Sequence, residues 1–284
     1  MESIGALQGS QDQNALDKRI SRMSGEICVI ATILRTFHGV AKKQRNINLD
    51  EVRTPLLSLL HRVWPCLTHI AKTFSTHEIV ISSLSEFLLM MISLNDQGKE
   101  VSLLKEASDI AIVMMDAVSR QQSTPCNITP IMDFVEEMIQ IFGFQAEARA
   151  KASLSAQTDG LPEHIHAIIG HLLQKAFHVI REQSEKSNID ALPGLFSVCR
   201  ACIRNCPLLF INLHVFAESS NSESIFSGSL NASISFVNNR QIDVVRAALL
   251  YINDTVSNHR QTFWTNSSPF SYCLLFSCLS ISLY

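Results

Sequence analysis

The chain has 284 residues, of which 17% are charged, and a formal net charge of −3. This weakly acidic balance excludes general nucleic-acid binding through phosphate neutralisation, which requires a basic surface. The N-terminal residues contain neither a basic region nor a long apolar core, so they do not form a secretory signal peptide. The eight cysteines mostly lie in apolar runs without the spacing of a secreted disulfide framework, which indicates a reducing, intracellular setting.

Apolar residues recur at helical spacing along most of the chain, and the alternation typical of strands is nearly absent. The predicted helical stripes, in chain order, cover residues 15–40, 56–70, 79–94, 101–118, 128–142, 162–180, 190–206, an interrupted region 208–236, and 241–256. Pro65 is expected to kink the second helix, because proline removes one backbone donor. Gly143 is expected to cap the fifth helix in the left-handed conformation.

The predicted organisation has three parts. Residues 1–14 form a flexible N-terminus, residues 15–256 one continuous helical array, and residues 257–284 an atypical, poorly ordered tail. The apolar part of the tail is shorter than the roughly 20 residues that span a bilayer, so no membrane insertion is expected. Successive helix pairs without strong internal identity are typical of a HEAT-type right-handed α-solenoid. A compact all-α domain is the alternative.

The segment Leu195–Pro207 contains three cysteines that resemble a metal site until they are placed on a helix. Its apolar side chains and its polar ones then occupy opposite arcs. The first arc contains Cys199, Cys202 and Cys206 with Leu192, Leu195, Phe196 and Ile203, and the second contains Ser197, Arg200, Ala201, Arg204 and Asn205. Zinc or an iron–sulfur cluster needs four ligands, and the run supplies three. We therefore predict buried cysteines, with Arg200 and Arg204 four residues apart on the exposed face.

The usual catalytic patterns are not found in the sequence. One predicted helix contains four histidines but no His-Glu-x-x-His pattern, the histidines being His164, His166, His171 and His178. Glu136 and Glu137 are interpreted as a solvated face, since an acid–base pair needs environments that separate the two pKa values. No glycine-rich phosphate loop or nucleophile elbow is present. We predict no enzymatic activity, no metal and no cofactor.

Several segments, in the same order along residues 20–256, resemble the importin-β superfamily, and within it the transportin-3 and importin-13 branch that includes plant transportin-SR members. The first segments are Ile30–Phe37, similar to a family helix ending in a hydrophobic-Phe-Arg stretch, and Leu60–Pro65, similar to the hydrophobic-Trp-Pro of the family. Gln121–Cys126 followed by Ile139–Gly143, the segment Leu195–Phe210 with a Phe-containing helix that ends at Pro207, and the loop Val237–Gln241 match later family features.

The resemblance implies a nuclear transport receptor that carries cargo between cytoplasm and nucleus, with Ran-GTP and nucleoporins as partners of the full-length family. It covers middle-to-late repeats, and the family's Ran-binding repeats have no counterpart in this sequence. The resemblance therefore implies weak or no binding of Ran-GTP by this chain. Direct contact with nucleic acid or membrane is not expected, given the net charge of −3 and the short apolar tail. The alternative is a HEAT-repeat scaffold or assembly platform unrelated to transport, which a stable complex lacking Ran and nucleoporins would favour.

In animal members of the family, a helix with exposed arginines holds phosphorylated Arg-Ser segments of splicing-factor cargo. The resemblance makes Arg200 and Arg204 the candidate cargo-binding residues, because guanidinium groups bind phosphate through a bidentate fork. Aligned without gaps, Ser197, Ala201 and Asn205 occupy the arginine positions of the family helix, so this arginine face is thinned and rotated. Two solvated arginines without a ligand are the alternative.

Overall fold

The computed structural model describes residues 2–43, 49–94, 101–120, 126–154, 163–185, 189–213 and 224–262. Within these ranges the secondary structure is helical and contains no strand, which confirms the all-α prediction. The α-helices are α1 (Glu2–Lys43), α2 (Leu49–Phe74), α3 (Glu78–Leu94), α4 (Val101–Arg120), α5 (Thr129–Leu154), α6 (Glu163–Glu185), α7 (Leu192–Asn205), α8 (Pro207–Asn212), α9 (Ile225–Phe236) and α10 (Ile242–Thr262). A 3₁₀ turn, Ile189–Ala191, precedes α7.

The predicted flexible N-terminus and the start of the predicted tail are both helical. Helix α1 begins at Glu2, so the segment predicted as a flexible N-terminus, residues 1–14, has helical secondary structure from Glu2 onward. That segment contains no proline, the residue that most strongly interrupts a helix, although its two glycines make it a weak helix former. Helix α10 continues through Thr262, which moves residues 257–262 from the tail into the helix. The rest of the predicted tail, 263–284, lies outside the described residues.

Helix α2 is not divided at Pro65, and the predicted end of the fifth helix at Gly143 is absent. Helix α2 continues as a single element through Pro65, and α5 continues through Gly143 to Leu154, so the predicted cap at Gly143 is wrong. Gly143 is buried, and a Cβ added to it would lie 2.9 Å from the Cβ of Asn205. The glycine therefore serves the close approach of α5 to the end of α7.

The chain divides into two compact units, Met1–Met138 and Ile139–Tyr284, where the sequence predicted one continuous array over residues 15–256. In the first unit α1 packs extensively on α3, and α2 packs on α4. Helices that follow each other in the sequence are also in contact, α1 with α2, α2 with α3 and α3 with α4. The core of this unit includes Leu34, Leu84 and Phe87, all buried, with the Trp64 ring 6.5 Å from that of Phe87.

The second unit is organised around α7, which contacts α6, α8, α9 and α10. Its most extensive partner is α10, and α10 also packs on α9. Aromatic rings fill the centre: Phe196 stacks on Tyr251 with ring centroids 6.1 Å apart, and Phe210 contacts the rings of Phe177 and Phe226. Helix α7 is therefore covered by neighbouring helices on several of its sides.

The close contact at Gly143 leads to a stability prediction. Alanine in a helix interior normally stabilises the helix by about 1 kcal/mol relative to glycine. At Gly143 the new methyl group would lie 2.9 Å from the Asn205 Cβ and 3.3 Å from the Ile139 Cγ2. Overpacking of this kind costs about 1–3 kcal/mol, so Gly143→Ala should lower the free energy of unfolding by about 1 kcal/mol net. Urea denaturation followed by circular dichroism measures the difference.

A matched control is available in the same unit. A Cβ at Gly170, within α6, would find only the Leu213 Cδ2 at 3.7 Å, an ordinary contact distance. Gly170→Ala should therefore leave the free energy of unfolding unchanged or raise it by up to about 1 kcal/mol. Equal effects of the two substitutions would show that the Gly143 approach is not tight in solution.

Candidate functional site

The three cysteines of α7 and its C-terminal end lie in the core, as predicted. Cys199, Cys202 and Cys206 are fully buried. Helix α7 ends at Asn205, Cys206 leaves the helical conformation, and Pro207 begins α8. Burial raises the pKa of the Cys199 thiol well above its usual value, and burial together with the neighbouring Cys206 raises that of Cys202. Both thiols therefore remain protonated and unreactive at neutral pH.

A buried polar contact accompanies these thiols and was not visible in the sequence. The Tyr251 hydroxyl of α10 lies 2.9 Å from the Ser229 hydroxyl of α9. Burial raises the pKa of Tyr251 above its usual value, so the phenol stays neutral. Because the two residues come from different helices, no local pattern could have indicated that they meet. The contact links α10 to α9 within the core.

Arg200 and Arg204 converge on one carboxylate. The Arg200 Nε and the Arg204 Nη2 each lie 2.8 Å from the Oδ2 of Asp254, which belongs to α10. The side chain of Asp254 is 11% exposed, that of Arg200 25% and that of Arg204 53%. Two positive groups thus share one negative group at the surface between α7 and α10, and the cluster has a formal charge of +1.

The electrostatics of Asp254 follow from this geometry. Burial by itself raises the pKa of the carboxyl group, but the hydrogen bonds and positive charges of Arg200 and Arg204 lower it more. The net pKa lies below the usual value of 3.8, so Asp254 is ionised at neutral pH. Asp254 could not be identified from the sequence because it lies 54 residues after Arg200. It is one of two buried polar residues of α10, the other being Thr255.

The remaining positions of the predicted polar arc behave differently. Ala201 is buried, so its placement on the exposed arc was wrong. The Asn205 amide donates to the Ala201 carbonyl oxygen at 2.9 Å, and its Cβ faces Gly143 of α5. Ala201 is therefore a core residue and Asn205 a packing contact, while Arg200 and Arg204 are turned toward α10. The arc is narrower than predicted because α7 has helices around several of its sides.

A second buried carboxylate fixes the end of this region. The Glu147 Oε2 on α5 accepts hydrogen bonds from the backbone N–H groups of Leu208, at 2.9 Å, and Leu209, at 3.2 Å. These groups belong to the first turn of α8, where an anion is favourable. Lys151 lies 3.7 Å from the other oxygen of Glu147. Glu147 therefore holds α8 in place behind α7, a structural role rather than a ligand site.

The described ranges contain no group of three or more His, Cys, Asp or Glu side chains placed to hold a metal ion. None of their helices is both long and apolar enough to cross a bilayer. His171 and His178, two of the four histidines of the predicted helix, are both exposed on α6.

Comparison with family models, curated proteins and solved structures finds no match to this chain. The assignment of a role consequently depends on the geometry of the arginine cluster and on the sequence resemblance described above.

Proposed function

We propose that this chain is a cargo-binding section of a nuclear transport receptor, built as part of a HEAT-type right-handed α-solenoid. The alternating contacts of α1 with α3 and of α2 with α4 support stacked helix pairs within the first unit. The collinear sequence resemblance supports the transport role. The cargo is a phosphorylated or acidic segment, with phosphorylated Arg-Ser sequences as the leading class.

The single observation that carries the proposal is the shared carboxylate at Asp254. It orients both guanidinium groups of the cluster, and it neutralises only one of the two positive charges. The ion pair uses one nitrogen of each guanidinium, while Arg204 remains half exposed. A guanidinium has five N–H donors, so donors remain to bind phosphate oxygens without loss of the structural contact. Preorganised arginines lose less side-chain entropy when they bind phosphate.

Removal of both guanidinium groups tests this site. In Arg200→Ala/Arg204→Ala, affinity for a phosphorylated Arg-Ser peptide should fall by about 1–3 kcal/mol, because charge-assisted hydrogen bonds are lost. The matched control is Arg19→Ala/Arg62→Ala, which removes two exposed arginines of the first unit. Fluorescence anisotropy measures affinity, and a thermal melt of each variant verifies that it is folded. Equal peptide affinity in the two double variants would show that Arg200 and Arg204 are structural only.

A further inference from the structure

The carboxylate of Asp254 occupies the point at which the two guanidinium groups of the arginine cluster converge. Its Oδ2 lies 2.8 Å from the Arg200 Nε and 2.8 Å from the Arg204 Nη2. These are the distances of charge-assisted hydrogen bonds to an anion. A phosphoryl oxygen that bridged the same two nitrogens would take this position. The chain therefore already holds an internal anion where an external anion could contact both arginines at once.

The internal anion lies deeper than the arginines that hold it. The Asp254 side chain is 11% exposed, whereas those of Arg200 and Arg204 are 25% and 53% exposed. A ligand consequently reaches the outer donors of the guanidinium groups while Asp254 remains in contact with the inner ones. Solvent screens a partly buried charge much less than an exposed one. A bound anion therefore experiences repulsion from the Asp254 carboxylate as well as attraction to the arginines.

We infer that Asp254 is an autoinhibitory anion, which lowers the affinity of the arginine cluster for anionic ligands. The inference rests on the proposed function, since it concerns the same arginines and the same class of ligand. With Asp254 ionised the cluster has a formal charge of +1, and Asp254→Asn would raise it to +2. The amide oxygen of asparagine has two lone pairs and can still accept hydrogen bonds from both arginines. The substitution therefore removes the charge and keeps the acceptor that orients the guanidinium groups.

The size of the repulsion depends on the charge of the ligand. A phosphoserine has a charge of about −2 at a pH of about 7.5, and a glutamate has half of that charge. Because Coulomb repulsion is proportional to the ligand charge, the logarithm of the fold change in affinity should be about twice as large for phosphoserine as for glutamate. Loss of a purely structural contact would not distinguish the two ligands. The comparison of ligands therefore separates an inhibitory charge from a packing role.

The test uses the full chain and two fluorescein-labelled peptides that differ at one position. The phosphopeptide contains one phosphoserine, the Glu peptide has Glu in its place, and all other residues are Ala or Gln. Asp254→Asn should bind the phosphopeptide about tenfold more tightly than the unaltered chain does, and the Glu peptide about threefold more tightly. Fluorescence anisotropy measures both affinities, and a thermal melt verifies that the variant is folded.

Asp243→Asn is the matched control for the change in net charge. Asp243 is exposed on the same helix, about three helical turns before Asp254. That separation, about 16 Å along the axis, is roughly twice the distance over which physiological salt screens exposed charges. The control should therefore leave both affinities unchanged. An equal gain in the two variants would show that net charge alone raises the affinity and would overturn the inference.

A variant with the opposite change of charge does not depend on the stability of Asp254→Asn. Ser257 is exposed on α10 three residues after Asp254, so the two positions are neighbours on one side of the helix. Ser257→Asp should weaken binding of the phosphopeptide about threefold, and the neutral control Ser257→Asn should leave it unchanged. Unchanged binding by Ser257→Asp would overturn the inference even if Asp254→Asn were unfolded.

The remaining outcomes separate this inference from the proposed function. Binding of the phosphopeptide that Arg200→Ala/Arg204→Ala weakens but folded Asp254→Asn does not strengthen would overturn the inference and leave the proposed function standing. Equal fold changes for the phosphopeptide and the Glu peptide would do the same. No binding that depends on Arg200 and Arg204 would overturn both.

Discussion

Replacement of Phe196 by alanine should lower the free energy of unfolding by about 3–5 kcal/mol, the usual cost of a large cavity in a packed core. Phe196 is fully buried on α7, and its ring stacks on that of Tyr251 with an interplanar angle of 17°. The substitution removes the aromatic contact between α7 and α10 and leaves space that neither helix can fill without moving. Because the helices surround α7 on several sides, collapse of the cavity is limited.

The same substitution at Phe144 is the control. Phe144 lies on α5 with 74% of its surface exposed, so Phe144→Ala should change the free energy of unfolding by no more than about 0.5 kcal/mol. Chemical denaturation followed by circular dichroism compares the two variants under identical conditions. Similar losses in both would show that α7 and α10 do not pack around Phe196 in solution.

Asp254→Asn should lower the free energy of unfolding by about 2 kcal/mol at neutral pH, the value typical of hydrogen bonds to charged groups. The change keeps the shape of the side chain but removes the negative charge that Arg200 and Arg204 share. The loss is smaller than for a fully buried pair, because half of the Arg204 side chain is exposed and solvent screens it. Asp109→Asn, at an exposed position of α4, is the matched control and should be nearly neutral.

The stability that Asp254 contributes should decrease at acid pH. The folded-state pKa of Asp254 lies below 3.8, so its contribution to stability is present above that pH and is lost as pH falls through the folded-state pKa. Asp254→Asn has no such group. The difference in the free energy of unfolding between the original chain and the variant should be constant above about pH 5. It should narrow as the pH falls below the pKa that Asp254 has in the unfolded state. A difference that stays constant down to acid unfolding would contradict the ion pair.

The sequence predicted those features that depend on local periodicity. The apolar stripes located the helices, and the arc containing Cys199, Cys202 and Cys206 is buried as expected. Helix ends were less accurate because polar segments such as residues 2–14 can remain helical without an apolar stripe. Gly143 was misinterpreted because the same residue type serves a helix cap or a close helix contact, and only the position of Asn205 decides between them.

The candidate site was only half predictable. The sequence placed Arg200 and Arg204 four residues apart on one side of α7, and the structure retains that arrangement. Asp254 could not be paired with them, since 54 residues separate it from Arg200 and only the packing of α10 on α7 brings them together.

Titration of the unaltered chain with an Arg-Ser peptide, in its phosphorylated and unphosphorylated forms, tests the proposed cargo role most directly. We expect saturable binding of the phosphorylated peptide that weakens as salt is raised above physiological ionic strength, where screening acts over about 8 Å. The unphosphorylated peptide should bind weakly or not at all, because its own arginines meet a cluster of the same charge. Equal affinity for the two peptides, or no binding of either, would contradict a cargo site at Arg200 and Arg204.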